Sequence, residues 1–524
     1  MIVFVAFLLL RLLSVFVVKT WYVPDEYWQS LEVAHKLTFG YGYMTWEWSK
    51  GIRSYIHPLS IAVVYRALAW LGFERVQYLV LAPRISQAFL SAYSDYCFYR
   101  WSKRSKWSIF LIATSWFWFY TATRTLLNTV ETCLTTVALS LYPQNSKTDS
   151  QKYLWIVALL CFIRPTAAIL WFPLCVIHMQ RSYRSIAELV LKRYLPIALI
   201  VGTIAIGLDS YAYGGFIVTP FEFFKLNVLE NVGSFYGTQP WYWYFTIGLP
   251  TVLGIVTLPF AFAVVQTLQN HTIYSDRYDL LKATAFTLAV YSFLNHKEFR
   301  FILPLLPICL HITADTLKNW SHNASRWAIW IVTLGLLTFN AIPAFYLSWV
   351  HQRGTTDIML SIERIAREYR DVDGHTAKFL FLMPCHSTPF YSHVHQNVSL
   401  RFLTCEPNLN GIENYMDEAD KFYANPVAWL RSHVPVHPKS AMPSHAVLFD
   451  CLQPKIKEFL QNYKVINNIS HSEFTTDGRV GHNVLLYERI THISPKKSNG
   501  DEQRKKPYNS DKLILDPKTD HDEF

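Results

Sequence analysis

Long apolar runs alternate with short polar loops over the first 350 residues of the chain. Runs of this kind form helices that cross a lipid bilayer, because every backbone polar group is then bonded within the segment. The pattern predicts a polytopic α-helical membrane protein with about eleven transmembrane helices. The predicted spans are residues 1–18, 78–99, 107–122, 127–141, 153–163, 166–178, 194–208, 244–266, 278–294, 301–317 and 327–350.

The loops between the spans fall into two sets. Basic loops at 100–106, 181–193 and 318–326 are assigned to the cytosol, where Lys and Arg are enriched. With the N-terminus also cytosolic, every loop with candidate chemistry reaches the opposite side of the membrane. The first of these loops, at 19–77, is expected to contain an interfacial helix at 57–73. Arg11 lies inside the first span and needs a partner that the sequence does not identify.

The composition changes after residue 350. Apolar positions at helical spacing predict an amphipathic helix at 357–369, and short β-prone runs predict strands. We therefore expect residues 351–494 to form a small α/β domain on the far side, after a membrane domain at 1–350. The charged segment 495–524 is predicted to be disordered. Within the α/β domain the predicted strands are 379–383, 446–449, 463–469 and 483–487, and the predicted helices are 421–431 and 452–462.

Composition narrows the class of function. The chain is 51% hydrophobic and 16% charged, below the roughly 25% charged residues of a soluble domain. Its net charge of +10 is carried by short loops, which favours membrane orientation over a nucleic-acid surface, so the lipid bilayer is the expected environment. The sequence has no zinc, phosphate-loop or dinucleotide motif, and no cofactor is predicted. Three of its eight cysteines, Cys385, Cys405 and Cys451, lie in the α/β domain and permit at most one internal disulfide.

The stretch from Trp21 to His57 concentrates charged residues among aromatic ones. Pro24 marks a helix start, which places Asp25 and Glu26 in the first turn, where exposed N–H groups favour a carboxylate. Helical spacing puts four side chains on one face: Asp25, Trp28, Gln29 and Glu32. A carboxylate at the membrane edge can act as a general base on a bound hydroxyl. The same residues also fit a capping acid on an interfacial helix.

The stretch HKEFRFILPLLP at 296–307 carries three groups that can be cationic, His296, Lys297 and Arg300. If the stretch is helical, His296 and Arg300 share a face and Glu298 turns away. Such a cluster at a membrane mouth suits a phosphate. It equally fits a positive helix end near lipid headgroups.

Two further patterns resemble metal sites. The sequence 371–374, Asp-Val-Asp-Gly, is better explained as a turn at a helix end. The set Cys385, His386, His393 and His395 is better explained as an ordinary polar loop after a strand. We therefore predict no metal site. Of three glycosylation sequons, Asn397 and Asn468 are assigned to the far side and Asn323 to the cytosol.

HKEFRF at 296–301, with PDE at 24–26, TRTLLN at 123–128 and YGTQPWYWY at 236–244, resembles glycosyltransferase family 22. This is a family of endoplasmic-reticulum mannosyltransferases that use dolichyl-phosphate-mannose. The branch that assembles glycosylphosphatidylinositol (GPI) anchors is similar to VPDEYWQSLEVAH at 23–35, WFWFYTATRTLLNTVET at 116–132 and LMPCHSTPFYSHVH at 382–395.

The resemblance implies a GT-C fold in the endoplasmic-reticulum membrane, with the site and the α/β domain on the lumenal side. It implies transfer of the third GPI mannose, in α1,2 linkage, from dolichyl-phosphate-mannose to the GPI-precursor glycolipid by a single inverting displacement. Asp25 would be the base, with Glu26 its neighbour of undefined role, and His296, Lys297 and Arg300 would hold the donor phosphate without a metal. The implied substrate-binding residues are Arg124, Asn128, Gln239, Trp241 and Trp243, although both tryptophans also fit an interfacial belt.

Other functions stay open at this point. A sister mannosyltransferase would act on the dolichol-linked N-glycan precursor or add the fourth GPI mannose. A lipid transporter or scramblase would also place charges at the membrane edge, but it needs no fixed carboxylate base. A non-catalytic subunit would keep the fold and tolerate loss of Asp25.

Overall fold

The structure is a computed structural model of the 524-residue chain, and it describes residues 1–143, 150–368, 376–435, 442–475 and 477–490. The predicted tail at 495–524 and the acidic triplet at 371–374 lie outside the described residues. Each segment predicted as a span contains a helix. The helices there are Ile2–Val17, Val76–Trp101, Lys106–Thr114, Trp116–Thr121, Leu127–Leu141, Lys152–Ile163, Ala167–Arg181, Leu195–Tyr213, Leu249–Leu253, Thr257–Gln269, Ser275–Phe293, Leu306–Asn323 and Arg326–Phe345.

Four helical stretches in the described part of the chain are long and apolar enough to cross a membrane by themselves: Ile186–Tyr213, Tyr244–Gln269, Phe299–Asn323 and Arg326–Glu368. These stretches include 3-10 or π-helical turns at Val190–Tyr194, Tyr244–Gly248, Gly254–Val256, Phe299–Leu305 and Tyr346–Val350. The total of about eleven crossings stays a prediction. Short helices in the loops are Trp46–Ser49, Ile186–Leu189 and Thr219–Phe224, with helical turns at Lys225–Leu229 and Val232–Tyr236.

Arg11 has a partner on another helix. Its Nε donates to Asp95 Oδ2 at 2.6 Å, and Trp118 Nε1 donates to Asp95 Oδ1 at 2.7 Å. Both charged side chains are at most 1% exposed. A second buried pair joins Arg164, in the break between two short helices, to Glu131 at 2.7 Å. Since an unpaired buried charge is strongly destabilising, these pairs fix the relative positions of the helices that carry them.

The C-terminal region contains a five-stranded mixed sheet in the order β2-β1-β3-β5-β4. Strands β1 and β2 are parallel, as are β1 and β3, whereas β5 pairs antiparallel with β3 and β4. The strands are β1 Lys378–Leu382, β2 Ser399–Phe402, β3 His445–Phe449, β4 Tyr463–Ser470 and β5 Asn483–Arg489. The helices are Gly354–Glu368, Tyr391–Val394, Glu418–Ala424, Pro426–His433 and Lys457–Leu460, with a 3-10 segment at Asp450–Lys455.

Two predicted helices of this domain differ in the structure, and one strand was missed. The predicted helix at 452–462 is a 3-10 turn followed by one helical turn, because Pro454 removes a backbone donor. The predicted helix at 421–431 is two helices, since Asn425 caps a new one by accepting from the Ala428 N–H at 3.1 Å. Strand β2 was not predicted, because a run of only four residues is too short to be distinguished from a loop in the sequence.

The sheet and the membrane domain share one hydrophobic core. Alternation along β1 turns Phe379 and Phe381 toward residues of the 19–77 loop, and Leu380 and Leu382 toward the helices at 418–433. The loop contributes the segment that begins at Asp25 and continues as a π-helix at Tyr27–Leu31 and an α-helix at Glu32–Phe39, termed here the loop-1 helix. The domain that follows residue 350 is therefore packed directly on the loop that carries Asp25.

The predicted interfacial helix is present at Ile56–Trp70. Ile61 and Tyr65 are buried against the loop-1 helix, whereas Val63 is 69% exposed and Trp70 is 85% exposed. One packed face and one open apolar face fit a helix that lies along a membrane surface.

Glu32 joins the loop-1 helix to the α/β domain. Its carboxylate is completely buried and accepts hydrogen bonds from the backbone N–H groups of Phe390 and Ser392 and from the Ser392 hydroxyl. Sequence spacing predicted Trp28 and Glu32 on the same helix face as Asp25. This was wrong, because the α/β domain covers both side chains and a π-helical turn separates Asp25 from Glu32.

This contact predicts a pH dependence of stability. Burial raises the pKa of Glu32 to about 7, and the three hydrogen bonds oppose the shift only in part. The folded protein then keeps a proton that the unfolded chain releases near pH 4.5. The contribution of Glu32 to stability should therefore fall as the pH rises from about 5 to 7, by up to about 3 kcal/mol.

Thermal unfolding of the purified protein between pH 5 and pH 8 measures this effect, with Glu32→Gln as the matched variant. Burial lowers the pKa values of two neighbouring imidazoles, His35 and His393, from 6.5 to about 3, so their contribution to stability rises with pH up to about 6.5 and opposes that of Glu32. Wild type and variant share this contribution, and the difference between them isolates Glu32. The stability of the variant relative to the wild type should rise with pH between about pH 5 and pH 7. Identical slopes would show that Glu32 does not titrate in this range.

Candidate active site

Asp25 opens the loop-1 helix among partly exposed polar side chains, and the surface that they form with it is termed here the cleft: His296, Glu298, Glu47 and Arg53. The carbonyl of Pro24 accepts from the N–H groups of Tyr27 and Trp28, so the helix starts immediately after the proline, as predicted. The Asp25 side chain is 20% exposed and forms an ion pair with Arg300 Nη1. A carboxylate of the first motif and the guanidinium of the second are thus in direct contact, although 275 residues separate them in sequence.

Glu298 is the centre of the second motif. Residues 295–298 are not helical, which corrects the prediction that Glu298 turns away. Its carboxylate accepts from Arg300 Nε at 2.7 Å and Nη2 at 2.6 Å, and from His296 Nε2 at 2.9 Å. The charge of Arg300 and these bonds outweigh the effect of burial and hold the pKa of Glu298 below its ordinary value. Glu298 therefore orients the guanidinium and leaves Nη1 directed at Asp25.

His296 and Lys297 are also tied to the loop that precedes them. His296 Nδ1 donates to the Gly237 carbonyl, and Lys297 Nζ donates to the Gln239 carbonyl, both at 2.9 Å. Burial lowers the pKa of His296, but the bond with Glu298 and its charge raise it by more, so imidazolium is favoured. Lys297 is only 5% exposed, which leaves His296 as the more open of the two cations.

The loop at 236–244 packs around the same segment. The Gln239 N–H donates to the Asn295 carbonyl at 2.9 Å. Trp243 is buried and its ring lies 4.8 Å from that of Phe299, whereas Trp241 is 68% exposed. Trp243 thus packs against the HKEFRF segment, whereas most of the Trp241 side chain is exposed.

Glu26 points away from Asp25 into the protein. Its carboxylate pairs with Arg124 Nη1 at 2.7 Å, and both side chains are at most 4% exposed. Arg124 also donates to the carbonyl oxygens of Thr20 and Tyr120. This buried pair fixes the start of the loop-1 helix. Glu26 and Arg124 therefore lie next to Asp25 but are buried away from the cleft.

Asn128 connects the 123–128 motif to the HKEFRF motif. It is buried, and its Nδ2 donates to the Arg300 carbonyl at 3.0 Å. The four predicted motifs therefore meet at one place. The substrate-contact roles of Arg124 and Asn128 stay predictions, because in the structure their bonds run to protein groups.

The α/β domain closes one side of the cleft with the loop that follows β1. A disulfide joins Cys385 to Cys405, and Cys451 is free, which agrees with the limit of one internal disulfide. His386 lies between them in the left-handed region, at φ 57°, with its ring 4.5 Å from that of Trp28. Burial lowers the pKa of His386 to about 4, although the charge of Asp25 acts in the opposite direction.

The cysteine–histidine set is divided: His386 Nδ1 stays near the disulfide, 3.6 Å from Cys405 Sγ, whereas His393 and His395 have other partners. The sulfurs of Cys385 and Cys405 are bonded to each other, and His395 Nδ1 lies 3.0 Å from His35 Nε2. His393 contacts the hydroxyl of Ser392. These groups serve the contact between the α/β domain and the loop-1 helix.

Sequence reasoning missed two sets of residues at the site. Glu298 was excluded by the assumption of a helix, although its position inside a charged motif was a signal. Glu47 and Arg53 were noted only as charged residues of the first loop. Their ion pair, with Nε 3.1 Å from Oε1, borders the cleft beside Asp25.

Comparison with known proteins gives a consistent result. A family model described as the Alg9-like mannosyltransferase family matches residues 2–395. GPI mannosyltransferase 3 of Drosophila melanogaster is 55% identical over 473 residues, which cover 90% of this chain and 84% of that protein. GPI alpha-1,2-mannosyltransferase 3 of Homo sapiens is 42% identical over 494 residues, covering 92% and 85%.

The fold is also seen in a solved structure. ArnT from Cupriavidus metallidurans, crystallised with undecaprenyl phosphate, superposes with a TM-score of 0.57 and covers 94% of this chain and 99% of its own. At 11% identity this similarity concerns the fold alone. The overall architecture of the predicted GT-C fold is thereby confirmed.

Proposed function

The chain belongs to the Alg9-like mannosyltransferase family, and from this premise we propose that it adds the third mannose of the GPI anchor. The donor is dolichyl-phosphate-mannose, and the acceptor is the 2-hydroxyl of the second mannose on the GPI precursor, which gives an α1,2 linkage. The observation that carries the proposal is the ion pair of Asp25 with Arg300. It brings a candidate base and a candidate phosphate-binding group into one site. The names of the relatives support the choice of acceptor.

The reaction is a single displacement. The acceptor oxygen forms a bond to the anomeric carbon while the bond from that carbon to the phosphate oxygen breaks. The hydroxyl proton passes to a carboxylate oxygen of Asp25, which acts as general base. Attack opposite the leaving group converts the β-linked donor into an α-linked product. Asp25 suits this role because it is partly exposed and opens a helix, where a charged carboxylate is favoured.

The leaving dolichyl phosphate gains negative charge as the bond breaks. Arg300 presents Nη1 toward the cleft, and Glu298 holds the other guanidinium nitrogens in place. His296, with its raised pKa, adds a second cation. Lys297, held by the Gln239 carbonyl, contributes a third positive charge. A prearranged donor set of this kind stabilises the transition state without moving during the reaction.

The remaining predicted residues take supporting roles in the proposal. Arg124 and Asn128 hold Glu26 and the Arg300 backbone, so they position the two sides of the site. Gln239 and Trp243 position the HKEFRF segment. Trp241 is the one of the set with an exposed aromatic face for a sugar or lipid.

We place the site on the lumenal face of the endoplasmic-reticulum membrane, in a multi-pass protein with about eleven crossings. The α/β domain packs on the loop that carries Asp25, which supports a common side for both. The basic loops at 100–106 and 181–193 follow helices that lead away from that side.

Glycosylation tests this orientation. The side chains of Asn323, Asn397 and Asn468 are all exposed, so exposure does not distinguish them. The orientation predicts glycans on Asn397 or Asn468 and none on Asn323. The check is the gel shift on endoglycosidase treatment of the protein and of its three Asn→Gln variants. A glycan on Asn323 would contradict the orientation.

The test of the reaction is a reconstituted assay. Purified protein in vesicles receives dolichyl-phosphate-mannose and a GPI precursor with two mannoses. The expected product has one more mannose, which an α1,2-mannosidase removes. Transfer only to a three-mannose GPI precursor or to a dolichol-linked glycan would favour a sister enzyme, and no transfer would favour a non-catalytic role.

A further inference from the structure

Three polar side chains form a connected group on the rim of the cleft. Gln29 Nε2 donates to both carboxylate oxygens of Glu47, at 3.2 and 3.1 Å, and Arg53 Nε donates to Glu47 Oε1 at 3.1 Å. The Glu47 and Arg53 side chains are 14% and 20% exposed. The group is therefore ordered by its internal bonds and still open on one side.

This group lies beside the reacting carboxylate. Gln29 follows Asp25 by one helical turn, and both are partly exposed while the residues between them are buried. The negative charges of Glu47 and Asp25 both act on Arg53 and together outweigh the effect of burial, so its pKa is raised. Arg53 thus lies within electrostatic range of the base, on the loop that Asp25 also belongs to.

Aromatic side chains border the same rim. Trp46 Nε1 donates to the Tyr236 hydroxyl at 2.8 Å, and the charges of Glu47 and Asp25 both act on that hydroxyl. A polar group with both donors and acceptors, next to aromatic rings, is a typical surface for a sugar, which presents hydroxyls and apolar C–H faces.

This group also differs in net charge from the phosphate end of the site. Glu47 and Arg53 cancel each other, and Gln29 is neutral. The HKEFRF segment has three potential cations against one carboxylate, Glu298. A neutral group suits hydroxyls, and a cationic one suits phosphate. The two ends therefore match different parts of the reaction.

We propose that Gln29, Glu47 and Arg53 bind the hydroxyls of the acceptor mannose and orient its 2-hydroxyl toward Asp25. The inference rests on the proposed function. In this arrangement Glu47 accepts from sugar hydroxyls, and Arg53 and Gln29 donate to hydroxyl oxygens. A purely structural role for the pair is the competing explanation, since the Ile52 N–H also bonds to the Glu47 carbonyl and closes the same turn.

The first test is Glu47→Gln in the reconstituted assay, with the KM of each substrate measured separately. The KM for the two-mannose acceptor should rise about 10- to 100-fold, as expected for loss of a charged hydrogen-bond partner. The KM for dolichyl-phosphate-mannose should stay within about twofold. Asp357→Asn is the matched control, because it breaks an ion pair of similar exposure, with Arg353 at 2.6 Å, away from the cleft. Its kinetics should match those of the wild type.

A charge-swapped double variant, Glu47→Arg with Arg53→Glu, separates the two explanations. It restores an ion pair across the turn but exchanges donors and acceptors toward the sugar. The acceptor KM should stay raised although the protein folds. Recovery of the wild-type acceptor KM, or an unchanged acceptor KM in Glu47→Gln, would overturn the inference and leave the proposed function intact. Failure of the wild type to elongate the two-mannose acceptor would instead refute the proposed function.

Discussion

The Asp25→Asn variant is expected to fold normally and to lose about 10²- to 10⁴-fold in the rate of mannose transfer. Asparagine keeps the size of the side chain and its amide oxygen can still accept a hydrogen bond from Arg300, so folding should change little. It cannot take a proton, and the acceptor hydroxyl would have to attack as a neutral nucleophile. Because Glu298 holds Arg300 through two nitrogens, the phosphate end should stay in place, and donor binding should persist. Single-turnover transfer and donor affinity in the reconstituted protein give the two measurements.

Glu26→Gln is the informative comparison for this prediction. Glu26 is buried and paired with Arg124, so its loss leaves an uncompensated buried charge. The expected result is a stability loss of about 3–5 kcal/mol. Molecules that remain folded should transfer mannose at close to the normal rate. If folded Glu26→Gln were inactive and Asp25→Asn fully active, the base would have to be reassigned to Glu26.

The second large effect is expected at Arg300. Arg300→Lys keeps the charge but loses the planar fork that reaches Asp25 and Glu298 at the same time. Transfer should fall by about 10- to 1000-fold, the range for loss of one transition-state donor. The fall should appear mainly in kcat, because the phosphate gains its additional charge only as the bond breaks.

Glu298→Gln tests how Arg300 is held. It removes the charge that orients the guanidinium and supports protonation of His296. Activity should fall less than in Arg300→Lys, and the alkaline limb of the pH–rate profile should move to lower pH, because the pKa of His296 loses its main support.

Full activity of Arg300→Lys would remove this residue from the site and leave the roles of His296 and Lys297 without structural support.

The membrane part of the fold was largely predictable from local pattern. Apolar runs and basic loops are properties of contiguous sequence, and helices lie in every predicted span. The partner of Arg11 was not predictable, since Asp95 lies 84 residues away and many acidic residues would satisfy the same charge. The resemblance to a mannosyltransferase family, based on short motifs, is confirmed by the match over residues 2–395.

Single candidate residues could be predicted from residue type and local position. Contacts between segments that are distant in sequence could not. The helix start pointed to both Asp25 and Glu26, and the family resemblance singled out Asp25 as the base, a role that stays a prediction. The position of Glu298 was predicted wrongly, because the expected helix is absent. Two carbonyl groups of the 236–244 loop accept hydrogen bonds from His296 and Lys297, and a 3-10 turn follows at Phe299–Leu305. The shared core between β1 and the 19–77 loop was also missed. Two apolar faces can be predicted separately, but sequence pattern does not show that they cover each other.

The central claim is that this chain uses Asp25 to add an α1,2-linked mannose to a GPI precursor with two mannoses. Lipid analysis of cells that lack the protein tests it most directly, with wild-type and Asp25→Asn complements measured together. We expect the two-mannose precursor to accumulate in the deficient cells. The wild-type protein should remove it, and the Asp25→Asn protein, correctly located and equally abundant, should not. Normal precursor levels in the deficient cells, accumulation of a three-mannose precursor, or full correction by Asp25→Asn would contradict it.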